Sequence, residues 1–252
     1  MAKRSSAALD SHRVVSRPDW LAARAGLLKR EKSFSHARER LAAERRELPW
    51  VMVDREYTFE GPKGTESLAD LFGGRSQLVV YHFMFDPAEK KGCAHCSFWA
   101  DNFNPIIVHL NQRDVTMLAI SRAPLKKLEA FKKRMGWTFK WVSSGKSDFN
   151  YDFNVSFTPD EVRKDAGFYN YRKGPVWCED REGISVFYRN RKGRIFHTYS
   201  CFARGIDMMN TAYQYLDLVP KGRDEGKRPQ SWVDYHDKYP AKAGNPQTPR
   251  SR

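Results

Sequence analysis

Long hydrophobic runs are missing from this 252-residue sequence, in which no apolar stretch approaches the roughly 18–20 residues that a membrane-spanning helix requires. The first 15 residues also lack the apolar core of a secretory signal. Cysteine is scarce, because four residues in a chain of this length do not form a disulfide scaffold. We therefore expect neither a membrane protein nor a disulfide-rich secreted protein, but a cytoplasmic one.

Motifs for nucleic-acid binding are also missing, although the net charge is +14. Neither a zinc finger nor an RNA-recognition signature is present. The positive charge lies in the flanks: residues 1–50 carry a net +6 and residues 221–252 a net +4, against +4 for the 170 residues between them. We interpret this basicity as a solvated surface and expect no specific nucleic-acid partner.

The sequence does contain enough apolar material for one sizeable core, with 40% hydrophobic and 13% aromatic residues. Residues 1–50 predict a helical arm, since the segment 24–47 is rich in good helix formers and Pro49 stops it. The arm would pack on the domain or on a partner, including a homo-oligomer. Residues 51–220 predict the main domain, and residues 221–252 predict a charged tail.

The element order within 51–220 predicts an α/β thioredoxin-like fold, a central mixed β-sheet flanked by helices, with an insertion before a C-terminal hairpin. The continuous apolar run LVVYHFMF (78–85) is typical of a central strand buried on both faces. The expected elements are a strand at 57–59, a helix at 65–72, strands at 78–85 and 115–121, helices to about 110 and at 124–135, an edge segment at 141–143, an insertion at 145–182, a hairpin at 184–190 and 194–200, and a helix at 204–218.

Cys93 and Cys96 lie between the buried strand and the helix that follows it. At a helix start this spacing brings the two sulfurs close while Cys93 stays exposed, and the helix N-terminus favours the thiolate. His95 can add positive charge beside it. We therefore expect a catalytic group in which Cys93 attacks, Cys96 resolves the mixed disulfide and His95 tunes the thiolate, with no cofactor required.

Metal binding is the main alternative for the same cysteines. A structural zinc site needs a second cysteine pair, and the two other cysteines are single residues without partner spacing. A mixed site is the sharper alternative, because Cys93 and Cys96 with His197 or His82 would suit copper or zinc. A histidine on an aromatic-rich strand is more often a packed, hydrogen-bonded core residue.

Four long stretches of the chain are more specific than the dithiol alone: YHFMFDPAEKKGCAHCSFWADNF (81–103), RDVTMLAISRAPLKKLEAFKKRMGWTFKWVSS (113–144), SDFNYDFNVSFTPDE (147–161) and ISVFYRNRKGRIFHTYSCFARGIDMMNTAYQYLDLVPKGRDE (184–225). Through them the sequence resembles a bacterial thioredoxin-like family of predicted dithiol–disulfide oxidoreductases, formerly a domain of unknown function. The resemblance covers about three-fifths of the chain. It implies a thioredoxin-like fold and places the family's dithiol on Cys93 and Cys96.

Two positions depart from related patterns. Thioredoxins have a cis-proline just before the strand that opens the hairpin, where it binds substrate backbone and keeps metals off the sulfurs. Here Gly183 precedes Ile184, and the nearest prolines are Pro159 and Pro175, which makes metal binding easier and general reductase activity less expected. The peroxiredoxin pattern places a Thr three residues before the cysteine, where this chain has Lys90, so a peroxidase is less favoured.

Three hypotheses follow from these residues. The first is a thiol–disulfide oxidoreductase acting on a protein or small-molecule thiol or disulfide. The second is a copper- or zinc-binding protein that uses Cys93, Cys96 and a histidine, and the third is a non-catalytic adaptor that binds a partner through its basic arm. Polar and aromatic side chains could line a substrate pocket over the dithiol, or instead form an aromatic core with hydroxyls at its rim: Tyr81, His82, Trp99, Asp101, Tyr188, His197 and Tyr199.

Overall fold

The apolar run of the sequence forms the central strand of a mixed sheet in the computed structural model, which describes residues 9–240. Strand β4 (Gln77–His82) pairs in parallel with β5 (Val115–Ser121) and antiparallel with β9 (Gly183–Arg189). Strand β10 (Ile195–Phe202) pairs antiparallel with β9. The order β5–β4–β9–β10, with helices in the crossover and after the hairpin, is the thioredoxin-like arrangement and confirms the predicted fold class.

The remaining elements are, in chain order, α1 (Arg17–Arg46), β1 (Val51–Met52), β2 (Thr58–Gly61), β3 (Gly64–Ser67), α2 (Leu68–Leu71), α3 (Ala94–Ala100), α4 (Phe103–Asn111), α5 (Leu125–Arg134), β6 (Trp141–Ser143), α6 (Phe149–Asp152), α7 (Pro159–Arg163), β7 (Gly167–Tyr169), β8 (Arg172–Gly174), a 3-10 helix (Ala203–Met209) and α8 (Thr211–Leu216). Strands β1, β2, β3 and β6 extend the sheet to the order β1–β10–β9–β4–β5–β6–β2–β3, and β7 and β8 form a separate hairpin. Among residues 9–240, no helix combines the length and apolar character needed to cross a bilayer.

The sheet separates two hydrophobic cores. Because successive side chains of a strand point to opposite faces, Tyr81 and His82 lie in different cores. Tyr81 packs edge-on against Phe103, on the side that carries α3, α4 and α5. His82 stacks on Phe149, on the side that carries α2 and α6. The position of each β4 residue thus decides whether it can reach the dithiol.

A row of hydrogen bonds crosses three strands in the His82 core. The His82 Nε2 atom lies 2.9 Å from Ser185 Oγ, which lies 2.8 Å from Ser200 Oγ, and this in turn lies 2.7 Å from His197 Nε2. His82 is buried, and none of the residues that the structure describes forms a hydrogen bond with its Nδ1 atom. Burial, with a smaller contribution from the nearby His197, lowers the pKa of His82 to about 3.

The helix expected at 65–72 begins later than the sequence indicates. Residues 65–67 belong to β3, which pairs with β2 across the tight turn at 61–64. Helix α2 begins only at Leu68, because the Ser67 and Asp70 side chains satisfy each other's backbone N–H groups in a capping box. The predicted helix is therefore present from residue 68 onward, whereas residues 65–67, its expected first turn, pair with β2 instead.

Two other predicted helices are divided. The stretch after the dithiol forms α3 and α4, and the Asn102 side chain donates to the last carbonyls of α3 at the break. The closing stretch forms a 3-10 helix and then α8, because Asn210 caps the second segment. Both divisions occur at asparagine, whose side chain competes for backbone hydrogen bonds.

The segment expected to be a charged tail packs on the domain over residues 221–240. Tyr235 is only 4% exposed, and Arg134 holds Asp237 through two hydrogen bonds of 2.9 and 2.8 Å. Residues 241–252 of that tail, and residues 1–8 of the expected arm, lie outside the described residues. Helix α1 confirms helical structure in the arm, and it begins at Arg17 because the Ser16 side chain caps it.

The depressed pKa of His82 predicts a pH-dependent loss of stability. The unfolded chain binds a proton at this residue near its ordinary pKa of 6.5, whereas the folded chain does so only near 3. Stability is therefore complete above pH 6.5 and declines as pH falls toward 3. Between pH 7 and pH 5 the contribution of His82 to the free energy of unfolding should fall by about 2 kcal/mol. Urea unfolding of wild type and His82→Gln at both pH values measures this, and an equal decline in both proteins would contradict it.

Candidate active site

The two thiols are held by the backbone that follows β4. The Cys93 N–H donates to the Met84 carbonyl at 3.1 Å, and the Met84 N–H donates to Cys96 Sγ at 3.5 Å. Cys93 is the N-cap residue of α3, so that its own carbonyl accepts the first hydrogen bond of the helix, from Ser97. Both cysteines are free thiols; Cys93 is partly exposed and Cys96 is buried.

Cys93 is the more acidic thiol of the pair. Its pKa lies well below the ordinary thiol value because the Cys96 thiol donates to it, and the His95 ring and the Cys96 N–H donate as well. Burial opposes this shift and is outweighed. The Cys93 sulfur in turn raises the pKa of His95, so that thiolate and imidazolium stabilise each other.

Cys96 has the opposite character. Burial raises the pKa of its thiol well above the ordinary value, and the negative charge of Cys93 adds to this effect. The Glu182 carboxylate acts in the same direction. The buried Tyr81 hydroxyl lies against Cys96, and burial followed by this sulfur raises the Tyr81 pKa as well. The electrostatics of the site therefore favour the thiolate at Cys93 and the protonated thiol at Cys96.

Glu182 occupies the position immediately before the strand that opens the hairpin. Strand β9 begins at Gly183, one residue earlier than the sequence indicates. A Cβ atom at Gly183 would lie 2.6 Å from the Phe202 ring, so the close approach of these strands requires glycine here. An acidic side chain therefore faces the dithiol where thioredoxins have a proline.

An open cavity of about 440 Å³ lies over the dithiol. The Arg181 guanidinium stacks at 3.8 Å on the ring of Trp177, which is 75% exposed, and it pairs with Glu182 at 3.3 Å. The cavity therefore presents an aromatic face and both signs of charge beside the thiols. Its walls are Tyr81, Met84, Cys93, His95, Cys96, Trp99, Trp177, Arg181, Glu182, Ala203, Arg204, Ile206, Asp207, Pro229 and Gln230.

The segment 225–239, here called the C-terminal strap, closes one side of the site. The Tyr235 hydroxyl donates to the Gly92 carbonyl, at 2.6 Å, directly before the first cysteine. The Gln230 carbonyl accepts from the His95 ring and contributes to its raised pKa. The strap thus contacts both the backbone next to Cys93 and His95, the residue whose hydrogen bond lowers the Cys93 pKa.

Asp101 belongs to the anchoring of this strap and not to the cavity. Its carboxylate accepts from Trp137 Nε1 at 2.8 Å and lies 2.7 Å from His236 Nδ1. Together with the Arg134–Asp237 pair, this contact fixes the end of the strap. The sequence interpretation that placed Asp101 over the dithiol is corrected accordingly.

Arg122 connects the loop before the dithiol to the insertion. Its guanidinium is buried and contacts Asp180 at 2.6 Å, the Asp86 carboxylate, and the Tyr151 hydroxyl at 2.9 Å. Asp180 directly precedes the residues that form the cavity wall. The predicted insertion contains α6, α7, β7 and β8, and Arg122 fixes its end at the site.

The structure brings Tyr81 and Trp99 to the dithiol, but not the other predicted pocket residues. His82 lies in the opposite core. Tyr188 packs on Trp50, with ring centroids 5.2 Å apart. Tyr199 lies under the Arg45 guanidinium and lines a separate cavity.

The ligands of the alternative metal site do not lie together. His197 lies beside Phe153 and Phe187 in the His82 core, across the sheet from Cys93 and Cys96. In residues 9–240, no group of three His, Cys, Asp or Glu side chains is placed to hold a metal ion. The physical reason is strand alternation, which turns His82 and His197 away from the dithiol.

Several site residues escaped the sequence interpretation: Trp177, Arg181, Glu182, Gln230 and Tyr235. They are distant from the dithiol along the chain, and no local periodicity marks them. Glu182 alone had a usable signal, since it stands just before the hairpin strand at the position that faces the dithiol in thioredoxins.

Comparisons with known proteins complete the description. A family model described as "Bacterial protein of unknown function (DUF899)" matches residues 9–239. None of the curated proteins matches the sequence. The similar solved structures include peroxiredoxin Q from Xanthomonas campestris (15% identity, 62% of this chain and 85% of that chain, TM-score 0.42) and peroxidoxin BcpB from Mycobacterium tuberculosis (11%, 67% and 97%, 0.43). A mitochondrial 2-Cys peroxiredoxin from Plasmodium falciparum is also similar (12%, 65% and 90%, 0.39).

The electrostatics predict a pH profile for alkylation. Iodoacetamide should modify Cys93 with a midpoint well below the ordinary thiol pKa of about 8.5, while Cys96 stays protected in the folded protein. His95→Asn should move the Cys93 midpoint to higher pH, because a donor and a positive charge are lost. Mass spectrometry of each cysteine against pH measures this. Lys90→Gln is the control, and an unchanged midpoint in His95→Asn would contradict the assignment.

Proposed function

The chain belongs to the DUF899 family of bacterial proteins of unknown function, and we propose that it acts as a thiol–disulfide oxidoreductase through Cys93 and Cys96. The observation that carries this proposal is the electrostatic asymmetry of the two sulfurs. Cys93 is accessible from the cavity and has a lowered pKa, whereas Cys96 is buried and has a raised one. An attacking and a resolving thiol need this difference. The proposed setting is the reducing cytoplasm.

The first step is attack by the Cys93 thiolate on a substrate disulfide. A bond forms between Cys93 Sγ and one substrate sulfur, the substrate S–S bond breaks, and the second sulfur leaves as a thiolate. The His95 imidazolium can give its proton to this leaving group, since its raised pKa keeps it protonated beside the thiolate. The product is a mixed disulfide between Cys93 and the substrate.

The second step releases the substrate. Cys96 loses its proton and attacks Cys93 Sγ, so that a Cys93–Cys96 disulfide forms and the remaining substrate sulfur leaves as a thiolate. We assign Glu182 as the proton acceptor, because its carboxylate lines the same cavity as Cys96 and its negative charge acts on that thiol. The substrate gains two electrons and the dithiol loses two. An external dithiol or two monothiols restore the reduced state by the reverse exchange.

The cavity limits the kind of disulfide that can react. Its volume of about 440 Å³ and its open mouth fit a small-molecule disulfide or an exposed peptide segment rather than a buried disulfide of a folded protein. Trp177 offers an exposed ring beside the thiols, and Arg204 and Asp207, which also line the cavity, form an ion pair of 2.7 Å. An extended substrate can therefore contact an aromatic ring and charged groups in the same cavity.

Redox titration with thiol trapping in glutathione buffers tests this function, on protein first assayed for bound metal. We expect one two-electron transition, in which a tenfold change in the ratio of oxidised to reduced protein corresponds to about 30 mV. Cys93→Ser should abolish the transition, and Cys96→Ser should accumulate the mixed disulfide, because the resolving sulfur is missing.

Cys178→Ser and Cys201→Ser are the controls, since these thiols lie outside the walls of the dithiol cavity. A pair that never closes under oxidising buffers would refute the oxidoreductase proposal. A pair that closes only after stoichiometric metal has been removed would refute it in favour of metal binding. Activity that survives in Cys93→Ser would instead favour the adaptor hypothesis.

A further inference from the structure

Two further cavities adjoin the dithiol cavity, and all three have Ala203 in their walls. The larger has a volume of about 920 Å³ and also shares Arg204 with the dithiol cavity. The smaller has a volume of about 280 Å³ and also shares Trp177 and Arg181 with it. Both are bounded by the β7–β8 hairpin and are here called, together, the hairpin groove. A molecule held at Cys93 therefore lies next to this groove.

The hairpin groove is lined by positive and not by negative side chains. Arg172 lines both of its cavities, Lys173 lines the smaller and Arg204 the larger. No Asp or Glu of residues 9–240 lines either cavity. His197 lines the larger cavity, but burial lowers its pKa and so favours the neutral ring.

Two of these positive charges are not neutralised by a neighbouring carboxylate. Arg181 and Arg204 form ion pairs with acidic residues of the dithiol cavity. Arg172 and Lys173 differ, because in the part of the chain that the structure describes no carboxylate lies within ion-pairing distance of either. Both residues are exposed, so their charges are available to a ligand.

The hairpin that carries these two cations is fixed to the domain by its tyrosines. The Tyr169 hydroxyl donates to the Glu182 carbonyl at 2.8 Å and accepts from the Ala203 N–H at 3.0 Å. The Tyr171 hydroxyl donates to the Ser200 carbonyl at 2.7 Å. Tyr171 lies in the hairpin turn with a φ of +63°, a conformation that bulky residues rarely adopt. These contacts hold the two cations beside the groove before any ligand binds.

We propose that the hairpin groove binds an oxyanion of the substrate, and that the substrate is therefore a small anionic disulfide. This assignment rests on the proposed redox function of the dithiol. Arginine binds carboxylate or phosphate through two parallel hydrogen bonds, and lysine adds a point charge. The larger cavity also presents apolar and hydroxyl groups, from Leu48, Val51 and Tyr199, which suit an organic anion rather than an inorganic ion.

The rate of mixed-disulfide formation in Cys96→Ser tests this assignment, because each attack by Cys93 is trapped and can be counted by mass spectrometry. The probes are oxidised glutathione, which carries carboxylates, coenzyme A disulfide, which carries phosphates, and hydroxyethyl disulfide, which is neutral. Each rate is divided by the rate of the same probe with free dithiothreitol. We expect an anionic probe to react about tenfold faster than the neutral one at low salt, and this advantage to shrink as salt rises. The faster anionic probe distinguishes carboxylate from phosphate.

In the same background, Arg172→Gln with Lys173→Gln should remove most of this advantage. The rate with hydroxyethyl disulfide should stay within about twofold of its value without the two substitutions, since the thiolate is unchanged, and this also shows that the domain is folded. The matched control is Arg191→Gln with Lys192→Gln, which removes the same two charges from the turn between β9 and β10, outside the walls of the groove. It should keep the advantage.

The outcomes separate this assignment from the proposed function. Equal normalised rates for anionic and neutral probes would overturn the assignment and leave the oxidoreductase function standing. An advantage that persists without Arg172 and Lys173, or that falls equally in the control, would also overturn it. Failure of every probe to react, the neutral one included, would refute the oxidoreductase function and the assignment with it.

Discussion

The buried guanidinium of Arg122 is the contact on which the geometry of the site depends. It lies at the end of β5 and holds Asp86 from the loop before the dithiol and Asp180 from the insertion. Among residues 9–240, Arg122 forms the ion pairs of both acidic partners, and an unpaired charge inside a protein costs several kcal/mol. One side chain just after the end of β5 thus aligns two segments that are almost a hundred residues apart in the sequence. The cavity wall at Trp177 and Glu182 follows from this alignment.

The two faces of the sheet differ in their electrostatics. On one face, Tyr81 and the thiols share a core in which the charge of Cys93 is balanced by His95. On the other face, His82 is kept neutral and joined by hydroxyl groups to His197. Tyr81 and His82 are adjacent in β4, yet one lies beside the charged thiol and the other in a neutral hydrogen-bonded row. Their neighbouring positions in the sequence do not reveal this difference.

The fold was predictable where local periodicity is strong. Apolar patterning and turn residues indicate three of the elements: the run at 78–85, the strand Val115–Ser121 and the hairpin. The spacing of the two cysteines indicates the dithiol. The partners of the dithiol were not predictable in the same way. Strand alternation places His197 on the face of the sheet opposite the dithiol, so it cannot complete a metal site there. The C-terminal strap is highly charged, and its composition gives no sign that the ring of Tyr235 is buried. Such contacts depend on how distant segments meet, which periodicity does not encode.

The position of the C-terminal strap also has a consequence for biosynthesis. Translation proceeds from the N-terminus, and domains begin to fold while the chain emerges. The segment containing Cys93 therefore leaves the ribosome long before Gln230 and Tyr235, which complete its surroundings. Cys93 and His95 therefore reach their final surroundings only after the strap has been synthesised and has docked. A chain truncated before residue 230 lacks both contacts.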